Sequence, residues 1–291
     1  MWSLSTTDRV DERAPIGVFD SGLGGLTVLS ELMRVLPHER FVFLGDSARC
    51  PYGPRHPEEV RSFVLEIGAH LAQLGCKMIV IACNTATAAG LADAQRAFDV
   101  PVVGVVEPGA RAAVHMTRSR RVGVIATEGT IAQGAYERAI AHLDAGIQVF
   151  SQAAPEFVRI AEARFAGDGS VAAEEDQRWA QQYLAPLVQR QVDTLVLGCT
   201  HYPLIADLIA EQMGEDVTLV SSAEETAREV RAILERRGDV ADPDAPLELE
   251  MLVTGDDAQK FALSARGLLG VEAPVAQVRL AAQLHEGEGC S

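Results

Sequence analysis

Met78-Ile79-Val80-Ile81-Ala82-Cys83-Asn84-Thr85-Ala86-Thr87 and Thr194-Leu195-Val196-Leu197-Gly198-Cys199-Thr200-His201-Tyr202-Pro203 repeat one arrangement within a single chain. In each, a short apolar run rich in branched side chains delivers a cysteine. Small polar residues follow, and a helical pattern begins. Runs that are apolar at every position suit strands buried on both faces of a parallel sheet, because such strands have no solvent side to alternate with. The same kind of run recurs at Ile16-Gly17-Val18-Phe19, Phe41-Val42-Phe43-Leu44, Val102-Val103-Gly104-Val105-Val106, Arg121-Val122-Gly123-Val124-Ile125 and Val217-Thr218-Leu219-Val220. Between the runs, residues 58–74, 88–98, 134–143 and 174–189 have helical spacing. This alternation predicts an α/β fold with mostly parallel central sheets.

A weak internal duplication sets the domain plan. Ile16-Gly17-Val18-Phe19-Asp20-Ser21-Gly22-Leu23-Gly24 lies over Val122-Gly123-Val124-Ile125-Ala126-Thr127-Glu128-Gly129-Thr130, and Val80 to Thr85 lies over Val196 to His201. The next strand is expected to end near Glu107 after Cys83 and near Ser222 after Cys199. Two pseudo-symmetric α/β lobes follow, with the active site in the cleft between them. The first comprises 14–110 plus 223–284, and the second 111–222. A helix over 224–236, a strand over 247–253 and a helix over 257–269 return to complete the first lobe. Residues 1–13 and 285–291 read as disordered tails.

Composition narrows the function classes. The chain has 291 residues, 48% hydrophobic, and a formal charge of −16 from 25 basic and 41 acidic residues. Nucleic-acid binding depends on clustered Lys and Arg, so this charge speaks against a nucleic-acid partner. No run of about 18 apolar residues marks a membrane span, and the first residues lack an export signal. Five cysteines, an odd number, without a secretory signal, fit a reduced cytoplasm. None is spaced as a metal site, so no metal is expected.

Four segments can carry chemistry. Cys83 and Cys199 each sit where a strand gives way to a helix, and backbone N–H groups there favour a thiolate or hold a carboxylate. Asn84 and Thr85 add side-chain donors. His201, two residues after Cys199, can orient or deprotonate that thiol. One cysteine at a strand end is most often structural. Two at equivalent positions of facing lobes can approach one carbon from opposite sides. Asp20-Ser21-Gly22-Leu23-Gly24-Gly25 is a glycine-rich turn without the GxGxxG or Lys-Ser/Thr pattern of a phosphate loop. Its Asp20 suits an ammonium group or a polarised thiol, with helix capping by Asp20 or Ser21 as the plainer role. Gly45-Asp46-Ser47-Ala48-Arg49-Cys50-Pro51-Tyr52-Gly53 is a polar loop able to offer backbone and phenol contacts, or an ordinary turn. Cys50 and Cys76 fall outside the paired pattern and read as packing residues.

Taken together, these blocks, with Ala126-Thr127-Glu128-Gly129-Thr130, resemble the glutamate racemase family from about residue 15 to 269. The resemblance implies a cofactor-independent enzyme that supplies D-glutamate for peptidoglycan. It implies substrate contacts at Asp20, Ser21, Tyr52, Gly53, Asn84, Thr85, Thr200 and His201, to which the same motifs add Pro51 and Thr127. Alignment on Pro155 and Phe157-Val158 places the family's further glutamate at Glu162, in a segment after the fourth or fifth strand of the second lobe. Ala154, Glu156 and Arg159 depart from the family wording there, and Ser47 replaces a usual threonine. By resemblance, Cys83 attacks the D-enantiomer with help from Asp20, and Cys199 the L-enantiomer with help from His201 and Glu162. Racemisation needs one proton removed and another returned on the opposite face, and one thiolate with one thiol is the smallest set that does this. An aspartate or hydantoin racemase obeys the same logic. A protein that binds an acidic ligand without turning it over is the rival from another class. The sequence leaves the choice between a monomer and a homodimer open.

Overall fold

The computed structural model describes residues 13–165 and 173–280. Strand β1 (Ile16–Asp20) is followed by α1 (Leu26–Val35), β2 (Arg40–Gly45), α2 (Pro57–Gln73), β3 (Met78–Ile81), α3 (Asn84–Ala97) and β4 (Val102–Gly104). Helix α4 (Val106–Met116) leads into a second series: β5 (Arg121–Ala126), α5 (Glu128–Ala132), α6 (Ala135–Leu143), β6 (Gln148–Ala153), α7 (Glu156–Phe165) and α8 (Ala173–Gln189). The series continues with β7 (Thr194–Gly198), a 3-10 turn (Tyr202–Ile205), α9 (Ala206–Met213) and β8 (Thr218–Ser221). Helix α10 (Ser222–Arg237) then returns with β9 (Glu248–Val253), α11 (Ala258–Leu269) and β10 (Val275–Gln277).

The strands form two parallel sheets, ordered β10-β9-β2-β1-β3-β4 and β6-β5-β7-β8. Within the first, β2-β1-β3-β4 repeats the second strand for strand. The two halves of the duplication therefore share a topology, and β9 and β10 are additions to the first. Each sheet is covered on both faces, as parallel sheets require. In β1, Ile16 and Val18 pack with α1, α10 and α11, whereas Phe19 packs with α2 and α3. In β7, Leu195 and Leu197 face α7, α8 and α9, and Val196 faces α4 and α6. Residues two apart share a face, so one strand feeds both cores.

Several sequence expectations need correction. The strand after Cys83 ends at Gly104, and Glu107 lies in the first turn of α4. Ser222 likewise opens α10 rather than ending β8. Helix α3 begins at Asn84, directly beside the thiol, where the sequence places a helix start after Cys83. Glu162 follows the second strand of its lobe, not the fourth or fifth. That strand, β6, lies at the sheet edge with Gln148 exposed and the rest half-buried, so its polar residues hid it. The expected tails fall outside the described residues except for Arg13. Among the described residues no helix is long and apolar enough to cross a membrane.

Candidate active site

Parallel sheets place their loops beyond the strand carboxyl ends, and here the loops of the two sheets meet. Cys83 follows β3 and caps α3 with extended backbone (φ −73°, ψ 125°), its carbonyl accepting from Thr87 N at 2.8 Å. Cys199 directly follows β7, and Thr200 and His201 lead from it into the 3-10 turn. Both thiols are buried and unpaired in disulfides, as are their neighbours Asn84, Thr85, Thr200 and His201.

Glycine 24 shows how closely the lobes approach. A Cβ added there would lie 2.4 Å from Thr200 Oγ1 and 2.6 Å from His201 Nδ1, so only hydrogen fits against the Cys199 loop. Thr27 Oγ1 donates to Thr200 O at 3.2 Å across the same junction. On the other side of the cleft, Gly129 N donates to Gly53 O at 3.0 Å. Thr85 Oγ1 shares hydrogen bonds with Thr127 Oγ1 at 2.8 Å and Thr130 Oγ1 at 3.3 Å. Thr127 also caps α5 by accepting from Thr130 N.

The surroundings of the two sulfurs differ. Cys83 Sγ lies 3.9 Å from Ser21 Oγ and beside Asp20. Asp20 is fully buried at the end of β1; its Oδ2 accepts from Gly25 N at 2.9 Å and Gly22 N at 3.2 Å, while Oδ1 has no partner. It thus anchors the glycine-rich turn with one oxygen and leaves the other uncommitted. Burial pushes its carboxyl pKa up, against the lowering pull of His201, the Gly25 and Gly22 N–H groups and the Cys83 thiol. Burial also drives the Cys83 thiol well above its usual value, and Asp20 and Cys199 add to that rise. The Ala86 N–H and Ser21 hydroxyl oppose it. In the resting site Cys83 is therefore a neutral thiol.

Cys199 Sγ lies 3.8 Å from His201 Nδ1, and His201 Nε2 lies 3.2 Å from Glu162 Oε1. The second contact is an ion pair by distance but is not aligned as a hydrogen bond. Burial of His201 opposes its charge, but Cys199, Glu162 and Asp20 outweigh that and raise its pKa to about 10. Glu162 is held below the usual carboxylate range by His201, against partial burial. It is half-exposed, on α7.

The remaining expected residues are placed unevenly. Pro51, Gly53, Thr127 and Glu162 line a cavity of about 400 Å³ together with Cys50 and Pro155. Neither Cys83 nor Cys199 lines it; a second cavity of about 560 Å³ between α3, α4 and α6 is lined by none of the expected site residues. Tyr52 is buried and its hydroxyl donates to Asp46 Oδ2, which leaves the phenol oxygen as an acceptor. Asp46 also accepts from Thr254 Oγ1 and from Arg49 Nε, each at 2.7 Å, and so braces the Pro51-Tyr52-Gly53 turn. Asp46 and Thr130 both stood within quoted motifs, and the sequence assigned neither a part in the site. Cys76 packs under β1 against Gly17 and Leu71, away from the cleft. Cys50 Sγ lies 3.2 Å from where a Gly22 Cβ would stand, at the cavity wall. Among the described residues no three His, Cys, Asp or Glu side chains are grouped to hold a metal ion.

Residues 25–230 match the family described as Asp/Glu/Hydantoin racemase. A glutamate racemase of Exiguobacterium sibiricum is 48% identical over 241 residues, 83% of this chain and 87% of that one. The crystal structure of glutamate racemase isoform RacE1 from Bacillus anthracis superposes with a TM-score of 0.86 at 45% identity, covering 92% of this chain and 98% of that one. That of the Francisella tularensis glutamate racemase in complex with D-glutamate gives 0.83 at 31% identity, covering 93% and 99%.

Proposed function

The chain belongs to the glutamate racemase family, and from that premise we propose that Cys83 and Cys199 are the two bases that exchange the α-proton of glutamate. The enzyme is an amino-acid racemase that works without a cofactor. One thiolate removes the α-proton while the opposed thiol gives its proton to the other face. Each turnover leaves the first sulfur protonated and the second ionised, ready for the reverse direction. Charge that develops on the substrate carboxylate is met by N–H and hydroxyl donors of Asn84, Thr85, Thr127 and Thr200. Asp20 and Ser21 serve the Cys83 face, and His201 with Glu162 serves the Cys199 face. Pro51 and Gly53 shape the wall, and Tyr52 contributes through its backbone and ring.

The observation that carries this reading is the placement of two buried thiols at equivalent strand ends across one cleft, each with its own acid–base partner. The product D-glutamate serves peptidoglycan synthesis, a use that supports a cytoplasmic enzyme. The test is incubation with L-glutamate and, separately, L-aspartate in deuterium oxide without added cofactor. Optical rotation and α-deuteration should change with glutamate. Turnover of aspartate alone would move the assignment to an aspartate racemase, and no exchange with either would reduce the protein to a binder.

A further inference from the structure

Tyr136 stands outside the mechanism above, yet it is fully buried on α6 and reaches from one lobe to the other. Its hydroxyl donates to Asn84 Oδ1 at 2.7 Å. A primary amide has two nearly isosteric orientations that differ in which end is oxygen and which is N–H₂. A phenol donating to Oδ1 selects one of them. Asn84 Nδ2 is then the free end, and it is buried with no hydrogen-bond partner. Two buried donors without an acceptor are costly in a folded protein, so this amide is set to receive something with lone pairs.

The phenol itself is clamped. A Cβ at Gly109, on α4, would lie 3.2 Å from its hydroxyl oxygen and 3.1 Å from Ser222 Cβ. A Cβ at Gly198, the last residue of β7, would lie 3.0 Å from the ring. Tyr136 therefore packs where α4 and α10, the two segments that carry the chain between lobes, pass the first turn of α3.

We propose that Tyr136 is a positioning residue that fixes the Asn84 amide, from the opposite lobe, with Nδ2 presented to the substrate. The inference rests on the reading of Asn84 as a substrate donor. It predicts that Tyr136 acts only through that amide. Tyr136→Phe keeps the ring and removes the hydrogen bond, so kcat/KM for glutamate should fall about tenfold, mostly through KM. In an Asn84→Ala background the same substitution should cause no further loss. An equal loss in both backgrounds would mark Tyr136 as merely structural and overturn the proposal, as would unchanged kinetics in Tyr136→Phe. Asn84→Asp adds an independent arm, since it retains an oxygen for the phenol but has no N–H₂. Its KM should rise as in Asn84→Ala, and an unchanged KM would contradict Nδ2 as the donor. Unchanged kinetics in Asn84→Ala itself would remove the premise, a result distinct from additivity.

Discussion

The two halves of the cleft share a backbone plan and differ in charge. Each has a central strand, a neighbouring strand with a cysteine just past its end, and a helical turn beyond it. Around Cys83 stand a carboxyl that burial pushes toward its neutral form and a serine hydroxyl. Around Cys199 stand an imidazole raised to about 10, and so cationic at neutral pH, and a carboxylate that pairs with it. The duplication thus supplied two equivalent positions for sulfur, and the side chains next to them differ in charge. A racemase needs that inequality, because one sulfur must hold a proton when the other does not. The resting arrangement favours a protonated Cys83, and across from it the Cys199 sulfur lies 3.8 Å from the His201 imidazolium.

The comparison is broken most severely by removing either thiol. Cys83→Ala and Cys199→Ala should each lose racemisation by about 10³-fold or more, read by circular dichroism of glutamate at saturating substrate. If one variant kept wild-type activity, the halves would not be partners. Next come Asp20→Asn and His201→Asn, each expected to lower kcat/KM by about 10²-fold. Enantiomers are isoenergetic, so kcat/KM must fall equally in both directions whichever sulfur is impaired. The handedness appears instead in isotope effects with α-deuterated substrate. Asp20→Asn should raise the effect on D-glutamate and lower it on L-glutamate, and His201→Asn should do the reverse. Identical patterns in the two variants would erase the proposed division of labour.

A smaller loss is expected from Gly24→Ala, whose Cβ would press on Thr200 Oγ1 and the His201 ring. Displacement of the Cys199 loop by a fraction of an ångström should cost about 10-fold to 10²-fold in kcat, with the thermal midpoint lowered by the overpacking. Wild-type kinetics in that variant would mean that the lobes do not press together there. The mildest effect is on stability. The raised His201 pKa contributes stability that is fully present below about 6.5, declines as pH rises, and is lost above about 10. The difference in thermal midpoint between wild type and His201→Gln should therefore narrow from pH 7 to pH 10. A constant difference would mean that His201 is uncharged in the folded protein.

Much of this was legible in sequence because parallel strands buried on both faces declare themselves as uninterrupted apolar runs, and because the two cysteine segments repeat. The same physics explains the misses. β6 is an edge strand whose Gln148, Ser151 and Gln152 break the apolar signature, so it gives no strand signal. The three residues of β10 lie half-buried or exposed beside β9 and give too short a pattern to stand out. In the site, residues next to a cysteine in the chain were readable. Contacts made across the cleft were not, since no spacing relates Tyr136 to Asn84 or Gly53 to Gly129. Tyr52 is a related case: its place in a motif suggested a phenol contact, and no spacing announced that its hydroxyl donates to Asp46.

The destination of deuterium at the start of the reaction tests the two-thiol account most directly. With L-glutamate in deuterium oxide and conversion kept low, the D-glutamate formed should carry α-deuterium while the remaining L-glutamate keeps its protium. That is the result expected if Cys199 removes the proton and Cys83, equilibrated with solvent, supplies another. Product that retains the original proton, or substrate that gains deuterium as fast as product forms, would mean one base serving both faces and would contradict the account.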